Sequence, residues 1–181
     1  NTLLMKEFRA GADAIRQKTS GRVEMKFYAG GVQGTESKVL RKIQIGQLHG
    51  GTFSPTDFQK QVPDLNIYGL PFVFESDGEV RYVRERMDSA MVRGIEDVGF
   101  VTFGFAGAGF AIILSNEPVR SHADLKGKKV WLPEGDLISY EAMKAVQLSP
   151  VALPLTDVLT GLQSGLVDIV AIPPVVVLAL Q

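Results

Sequence analysis

Short apolar runs alternate with helical stretches in the last third of the chain. The apolar runs lie at residues 130–132, 150–154 and 166–170. Strands that alternate with helices of roughly 10–15 residues are typical of a parallel sheet with crossover helices, so the pattern predicts an α/β fold. Such sheets bind ligands beyond the carboxyl ends of their strands. Four residues fall at these predicted ends: Trp131, Glu134, Thr156 and Ile172.

The earlier part of the chain combines amphipathic helices with short extended runs. Three helices are predicted, over residues 1–18, about 35–46 and about 77–97. Asp77 is expected to cap the last of them. Alternation of apolar and polar side chains predicts a short strand over residues 23–28. Residues 49–54 are expected to form a second short strand that runs to a polar end.

Two runs rich in aromatic and β-branched residues follow the third predicted helix. They cover residues 100–105 and 109–115 and predict a pair of strands. Gly104, Gly107 and Gly109 lie in or between these runs. They are suited either to a tight turn between the strands or to a hinge that absorbs backbone rotations.

Composition excludes several classes of function. The 181 residues carry a formal net charge of −1, which gives no electrostatic case for binding nucleic acid or an anionic membrane. The absence of cysteine excludes disulfides, thiolate nucleophiles and cysteine-based metal centres. No apolar run approaches the ~20 residues of a membrane-spanning helix. Lys6, Glu7 and Arg9 interrupt any apolar core of a signal peptide. An exported protein whose signal peptide has been cleaved would look the same.

The sequence offers little support for catalysis. Glu134, Asp136 and Asp168 are the carboxylates nearest the predicted strand ends, and neither histidine of the chain lies near them in sequence. Asp136 is expected to cap a helix and Asp168 to accept structural hydrogen bonds at a strand end. The sequence therefore predicts no catalytic residue, no metal site and no cofactor.

Five segments in order carry a resemblance to a known family. Two are the motifs DLKGKKV at 124–130 and PVALPLTDVLTGLQSGLVD at 150–168, and three lie upstream at residues 19–28, 39–46 and 69–74. Together they resemble the extracytoplasmic solute-binding proteins of TRAP transporters, of the dicarboxylate-binding type. The resemblance implies a two-lobed, periplasmic-binding-protein-like α/β fold with mixed, mostly parallel sheets flanked by helices. The chain starts directly in the first helix, so it looks like a fragment of a longer protein.

The chain departs from the family pattern at two ligand-contacting positions. Most relatives have an arginine that grips a ligand carboxylate where this chain has Trp131. A polar residue, often asparagine, is replaced by Ile172 or Ala171. Losing a buried cationic partner costs on the order of 2–5 kcal/mol. We therefore expect a ligand with a larger apolar or aromatic part stacked on Trp131, rather than a C4-dicarboxylate bound in the usual way.

The resemblance implies ligand capture between two lobes and delivery to the membrane subunits of a TRAP-type transporter, in the periplasm and without chemistry. The first lobe is expected over residues 1–105 and the second over 106–181, with crossover strands near 100–115. The expected ligand-binding residues are Trp131, Phe72, Phe53, Ser54, Thr56, Glu134 and Ile172. Two alternatives remain open: a sensory ligand-binding domain on the same scaffold, and a small α/β enzyme that uses Glu134, Asp136 or Asp168.

Overall fold

A computed structural model describes residues 3–179 as a mixed α/β protein. Its α-helices are α1 (Leu3–Lys18), α2 (Glu36–Gln44), α3 (Asp77–Asp97), α4 (His122–Leu125), α5 (Leu137–Ala145), α6 (Val158–Gln163) and α7 (Pro174–Ala179). Its strands are β1 (Ile112–Ser115), β2 (Lys129–Pro133), β3 (Ser149–Leu153) and β4 (Ile169–Ile172). Short 3-10 helices cover Pro55–Phe58, Pro63–Gly69 and Leu155–Asp157. None of the described helices is long and apolar enough to cross a membrane.

The four strands form one mixed sheet in the order β1-β4-β2-β3. Strand β2 runs parallel to both β3 and β4, and β1 pairs antiparallel with β4 at the edge. The crossover pattern predicted for the last third of the chain is confirmed, with α5 and α6 as the connecting helices. The third strand was placed too early in the sequence, because 166–168 form the turn that leads into it.

Helix starts follow local hydrogen-bond chemistry. The predicted capping role of Asp136 is confirmed, since its Oδ1 accepts a hydrogen bond of 3.0 Å from the backbone N–H of Ser139 in α5. The prediction for α3 was wrong by one residue. Ser76 is the cap, and its Oγ accepts from the N–H of Glu79 at 3.3 Å. Asp77 is instead the first helical residue, where its charge favours the positive end of the helix dipole.

Three predicted strands do not form among the described residues. Segments 23–28, 49–54 and 100–105 have no ladder partner, and from 109–115 only Ile112–Ser115 becomes a strand. A strand is stable only when a neighbour satisfies its backbone N–H and C=O groups, whereas apolar alternation in a sequence reports only which side chains share a face. Val23 and Met25 accordingly remain almost half exposed.

Buried residues form two separate hydrophobic clusters. The first consists of Leu40, Phe58, Val62, Leu65, Met91 and Ile95, with Phe105 the last residue in sequence that packs against it. The second consists of Trp131, Val158, Val167, Val170 and Ile172, and Leu114 is the first residue in sequence that packs against it. The boundary at residues 105 and 106 stays a prediction.

Candidate functional site

Loops associated with the two clusters meet at two points. The side-chain Nε2 of Gln59, which follows the first 3-10 helix, donates a hydrogen bond to the carbonyl of Gly135. At the second point, a Cβ built on Gly31 would lie 2.7 Å from Cγ2 of Thr156. We call these four residues the junction. The junction lies where loops next to the first cluster contact the loops that follow strands β2 and β3. Those strands belong to the sheet that carries the second cluster.

The sheet contributes its carboxyl edge to the junction. Strands β2, β3 and β4 are parallel, so their last residues lie along the same edge of the sheet. Gly135 follows the end of β2 by two residues, and Thr156 follows the end of β3 by three. Ligands of open α/β sheets bind outside this edge. The junction therefore borders the part of the sheet that is best placed for binding.

The loop opposite this edge is shaped by a capping box. Asp57 Oδ2 accepts hydrogen bonds from the N–H of Ser54 at 2.7 Å and from its hydroxyl at 3.0 Å. The hydroxyls of Ser54 and Thr56 lie 2.7 Å apart. Burial raises the pKa of the Asp57 carboxyl, and the negative charge of Glu36 adds to that rise, although the hydrogen bonds from Ser54 act against it.

The predicted aromatic residues of the first part of the chain occupy different environments. Phe53 is half-buried and packs edge-to-face on Phe58 of the first cluster, with ring centroids 5.7 Å apart. Phe72 is 92% exposed, with a backbone φ of +63° that non-glycine residues rarely adopt. Phe53 lies beside Ser54 at the junction side of the first cluster, whereas Phe72 lies on the open surface.

Trp131 and Ile172 lie in the second cluster rather than on an open wall. Their exposed fractions are 4% and 5%. The indole Nε1 of Trp131 donates to the carbonyl of Leu153 at 3.0 Å, which ties β2 to the end of β3. Trp131 is thus a packed, hydrogen-bonded core residue in this structure.

Glu134 is a predicted ligand-binding residue that lies beside the junction. It is exposed and directly precedes Gly135, the acceptor of the Gln59 hydrogen bond. The structure therefore brings the loop of Ser54 and Thr56 close to the loop of Glu134. Phe72 lies instead on the exposed surface.

Sequence reasoning missed three residues at this place: Gly31, Asp57 and Gln59. A detectable signal existed for Asp57, since serine followed three residues later by an acid is the pattern of a capping box. No local pattern identifies Gln59 or Gly31, because their contacts join residues 76 and 125 positions apart in the sequence.

The remaining polar candidates have structural partners. Asp168 Oδ2 accepts from the backbone N–H of Lys129 at 2.9 Å, which confirms its predicted structural role. His122 Nε2 lies 3.1 Å from the carbonyl of Val146. Among residues 3–179, no group of three or more histidine, aspartate or glutamate side chains is arranged to hold a metal ion.

A family model described as bacterial extracellular solute-binding protein, family 7, matches residues 1–179. The chain belongs to this family. Among curated relatives, it is 22% identical to the 2,3-diketo-L-gulonate-binding periplasmic protein YiaO of Escherichia coli, with 86% of this chain and 48% of the relative covered. It is 25% identical to the C4-dicarboxylate-binding periplasmic protein DctP of Rhodobacter capsulatus, with 86% and 47% covered. The chain thus spans about half the length of the curated relatives it matches.

Solved structures confirm the predicted fold. A TRAP periplasmic solute-binding protein from Pseudomonas putida F1 with bound D-glucuronate is 27% identical, with a TM-score of 0.84 over 94% of this chain and 56% of that one. A TRAP protein from Sulfurospirillum deleyianum with bound succinate is 24% identical, with a TM-score of 0.86 over 96% and 56%. The chain therefore has the two-lobed, periplasmic-binding-protein-like α/β fold, as the resemblance implied.

Proposed function

We propose that this chain captures a small organic acid in the cleft between its two lobes, for delivery to a TRAP-type membrane transporter. The observation that carries the proposal is the junction. The junction brings polar groups from loops beside the first cluster next to the carboxyl edge of the sheet, which carries the second cluster. Small-molecule sites favour such domain interfaces, where a few oriented polar groups fix the ligand.

The ligand class is inferred from the chemistry of the relatives and of this cleft. Solved relatives hold D-glucuronate, β-D-galacturonate, L-gulonate or succinate. In this chain Ser54, Thr56 and Glu134 offer hydroxyl and carboxylate groups that suit the hydroxyl groups of a sugar acid. A polyhydroxylated acid with a single carboxylate is favoured over a dicarboxylate, because Trp131 stands where relatives have the carboxylate-binding arginine.

Contributions from the apolar residues also belong to the proposal. Phe53 and Phe72 are proposed to line the apolar side of the cleft. Stacking of the ligand on Trp131, next to Ile172, requires a ring face that becomes exposed when the ligand binds, because both side chains are buried here. Trp131→Phe, which keeps an aromatic face, is expected to retain most of the ligand affinity, whereas Trp131→Ala is expected to lose it. Unchanged affinity in Trp131→Ala would contradict the stacking.

Membership of the family also supports a cellular location and a binding partner. Curated relatives are named as periplasmic binding proteins. We therefore propose a periplasmic location, the membrane subunits of a TRAP-type transporter as partner, and binding without catalysis.

A thermal-shift screen tests the function directly. The panel contains D-glucuronate, D-galacturonate, L-gulonate, succinate, aromatic acids, keto acids and cationic amphiphiles. A ligand at about 100 times its dissociation constant adds about 2.7 kcal/mol of stability, which corresponds to roughly 5–10 °C for a chain of this size. We expect sugar acids to give the largest shifts.

Variants identify where such a ligand binds. Ser54→Ala and Glu134→Gln are expected to reduce the shift for the best ligand, whereas the exposed Glu85→Gln on α3 serves as a charge-matched control. A folded protein that shows no shift with any acid in the panel would contradict the proposal. Equal shifts in all variants would place the ligand elsewhere.

A further inference from the structure

We propose that Gln59 is a positioning residue: it holds the loop of Glu134 in place across the junction, beside the close approach of Gly31 to Thr156, and so fixes how the two lobes meet. The role in binding rests on the proposed function. The contact itself is a property of the protein alone and is tested separately.

The Gln59 hydrogen bond acts at the turn between β2 and α5. Gly135 has a φ of +90°, and its carbonyl also accepts from the N–H of Leu137 at 2.9 Å, at the start of α5. The carbonyl therefore joins three parts of the molecule, namely the end of β2, the start of α5 and the side chain of Gln59. Glu134 directly precedes Gly135 in the chain, so the Gln59 contact restrains the turn that carries it.

The backbone of Gln59 belongs to the loop that carries Ser54 and Thr56. Gln59 directly follows the 3-10 helix that begins after Ser54, and its N–H donates to the carbonyl of Thr56 at 3.2 Å. Asp57 fixes the start of the same turn. One side chain thus connects the capped loop of Ser54 and Thr56 to the loop of Glu134, and it sets the separation of the two groups proposed to share a ligand.

The second contact requires glycine at residue 31. Gly31 has a φ of +70°, and a Cβ there would lie 2.7 Å from Cγ2 and 3.7 Å from Cβ of Thr156. Both features favour glycine at residue 31, because a side chain is strained at this φ and a Cβ would have to displace the Thr156 methyl group. The adjacent Gly30 has nearly the same φ, +71°, but a Cβ there meets nothing within 4 Å. The two glycines therefore differ in contact and not in backbone conformation.

Disulfide trapping tests this contact, because the chain contains no cysteine of its own. Disulfides form between Cβ atoms about 3.5–4.5 Å apart, and the 3.7 Å separation of the Gly31 and Thr156 positions falls in this range. The double variant Gly31→Cys/Thr156→Cys is expected to oxidise readily in the absence of ligand, measured as the mass loss of two hydrogens. The double variant Gly30→Cys/Thr156→Cys is the matched control and should oxidise roughly tenfold more slowly.

Equal oxidation of both pairs, or a Gly31 pair that stays reduced, would overturn the proposal. A second measurement avoids any change at Gly31. Amide hydrogen exchange of residues 133–137 should accelerate at least about threefold in Gln59→Ala, because the loop loses its external anchor. Gln61→Ala, at an exposed glutamine two residues later, should leave the exchange rate unchanged. No difference between these two variants would also overturn the proposal.

A binding measurement separates this inference from the proposed function. With D-glucuronate as the probe, Gln59→Ala is expected to raise the Kd by about threefold to tenfold, as expected for lost preorganisation, and Gln61→Ala to leave it unchanged. Ready oxidation of Gly31→Cys/Thr156→Cys, together with a wild type that binds no acid, would contradict the function and leave the junction standing. Normal binding by Gln59→Ala would show that Gln59 does not position the site.

Discussion

The two hydrophobic clusters are held by different kinds of polar contact. Around the second cluster, polar side chains bond to the backbone of the sheet. The indole N–H of Trp131 donates to Leu153, and the carboxylate of Asp168 accepts from Lys129. Such contacts follow directly from strand register, because the atoms they join are fixed by the ladder. The second region therefore depends mainly on packing and backbone pairing.

The first cluster is bordered by a network of ionisable side chains. Tyr68 Oη donates to Asp88 Oδ1 at 2.5 Å, and Arg84 Nη2 lies 2.9 Å from Asp88 Oδ2. The same Arg84 Nη2 donates to the carbonyl of Phe105 at 2.6 Å. The network thus ties the second 3-10 helix and α3 to residue 105, where the chain leaves the first cluster. This region depends on charge as well as on packing, so the two regions should respond differently to mutation and to pH.

Removing the centre of the second cluster should have the largest effect. Trp131→Ala is expected to lower the free energy of unfolding by about 3–5 kcal/mol, because a buried aromatic side chain and its hydrogen bond are lost. Urea denaturation measures the change. Trp131→Phe, which keeps most of the volume, should cost less than half as much. Equal losses for both variants would mean that the hydrogen bond to Leu153, and not packing, dominates.

A comparable truncation in the first cluster should have the next largest effect on the free energy of unfolding. Leu65 is 1% exposed, and Leu65→Ala is expected to cost about 2–4 kcal/mol. Ile45→Ala, at a residue that is 61% exposed, is the control and should change stability little. Amide hydrogen exchange should show the loss concentrated around the first cluster. Uniform acceleration across both clusters would show that they unfold as one unit.

Breaking the charged network should have a smaller effect that is confined to the first region. Arg84→Ala is expected to cost about 1–2 kcal/mol, since Asp88 and the Phe105 carbonyl lose a charged donor at a site that is only partly screened by water. Arg81→Ala, on the exposed face of the same helix, is the control. The difference between the two free energies of unfolding gives the contribution of the network. Identical values would contradict it.

The pH dependence should give the smallest and most specific contrast. Burial alone would raise the pKa of Asp88, but its hydrogen bonds with Arg84 and Tyr68 lower it overall, so its stabilising contribution is lost as pH falls through the folded-state pKa. The pKa of Asp57 is raised, so its protonation adds stability as pH falls. Urea unfolding between about pH 7 and pH 3 should therefore show a steeper acid loss in Asp57→Asn and a shallower one in Asp88→Asn. Parallel curves would contradict both assignments.

The placement of the candidate site shows where sequence reasoning stopped. The strand-end position of Glu134 was predictable, since it directly follows β2. Ser54 and Thr56 were expected at the end of a strand that does not form, and they lie instead at the start of a capped 3-10 helix. The environment of Trp131 was not predictable from the sequence, because its place in β2 does not say what covers each face of the sheet. The Gln59 contact required two distant loops to meet, and no local pattern carries that information.

Local pattern alone determined the elements whose stability is local or whose partners lie nearby in sequence. Apolar spacing and capping residues predict helices α2, α3 and α5, because helical hydrogen bonds close within the same stretch of chain. The same pattern predicts strands β2 and β3, because a short crossover helix connects them. Only the tertiary structure decided that segments 23–28 and 49–54 stay unpaired, that Trp131 is buried, and that loops distant in sequence touch at Gly31 and Gln59. A strand needs a partner and an interlobe contact needs two surfaces, and both depend on the path of the whole chain.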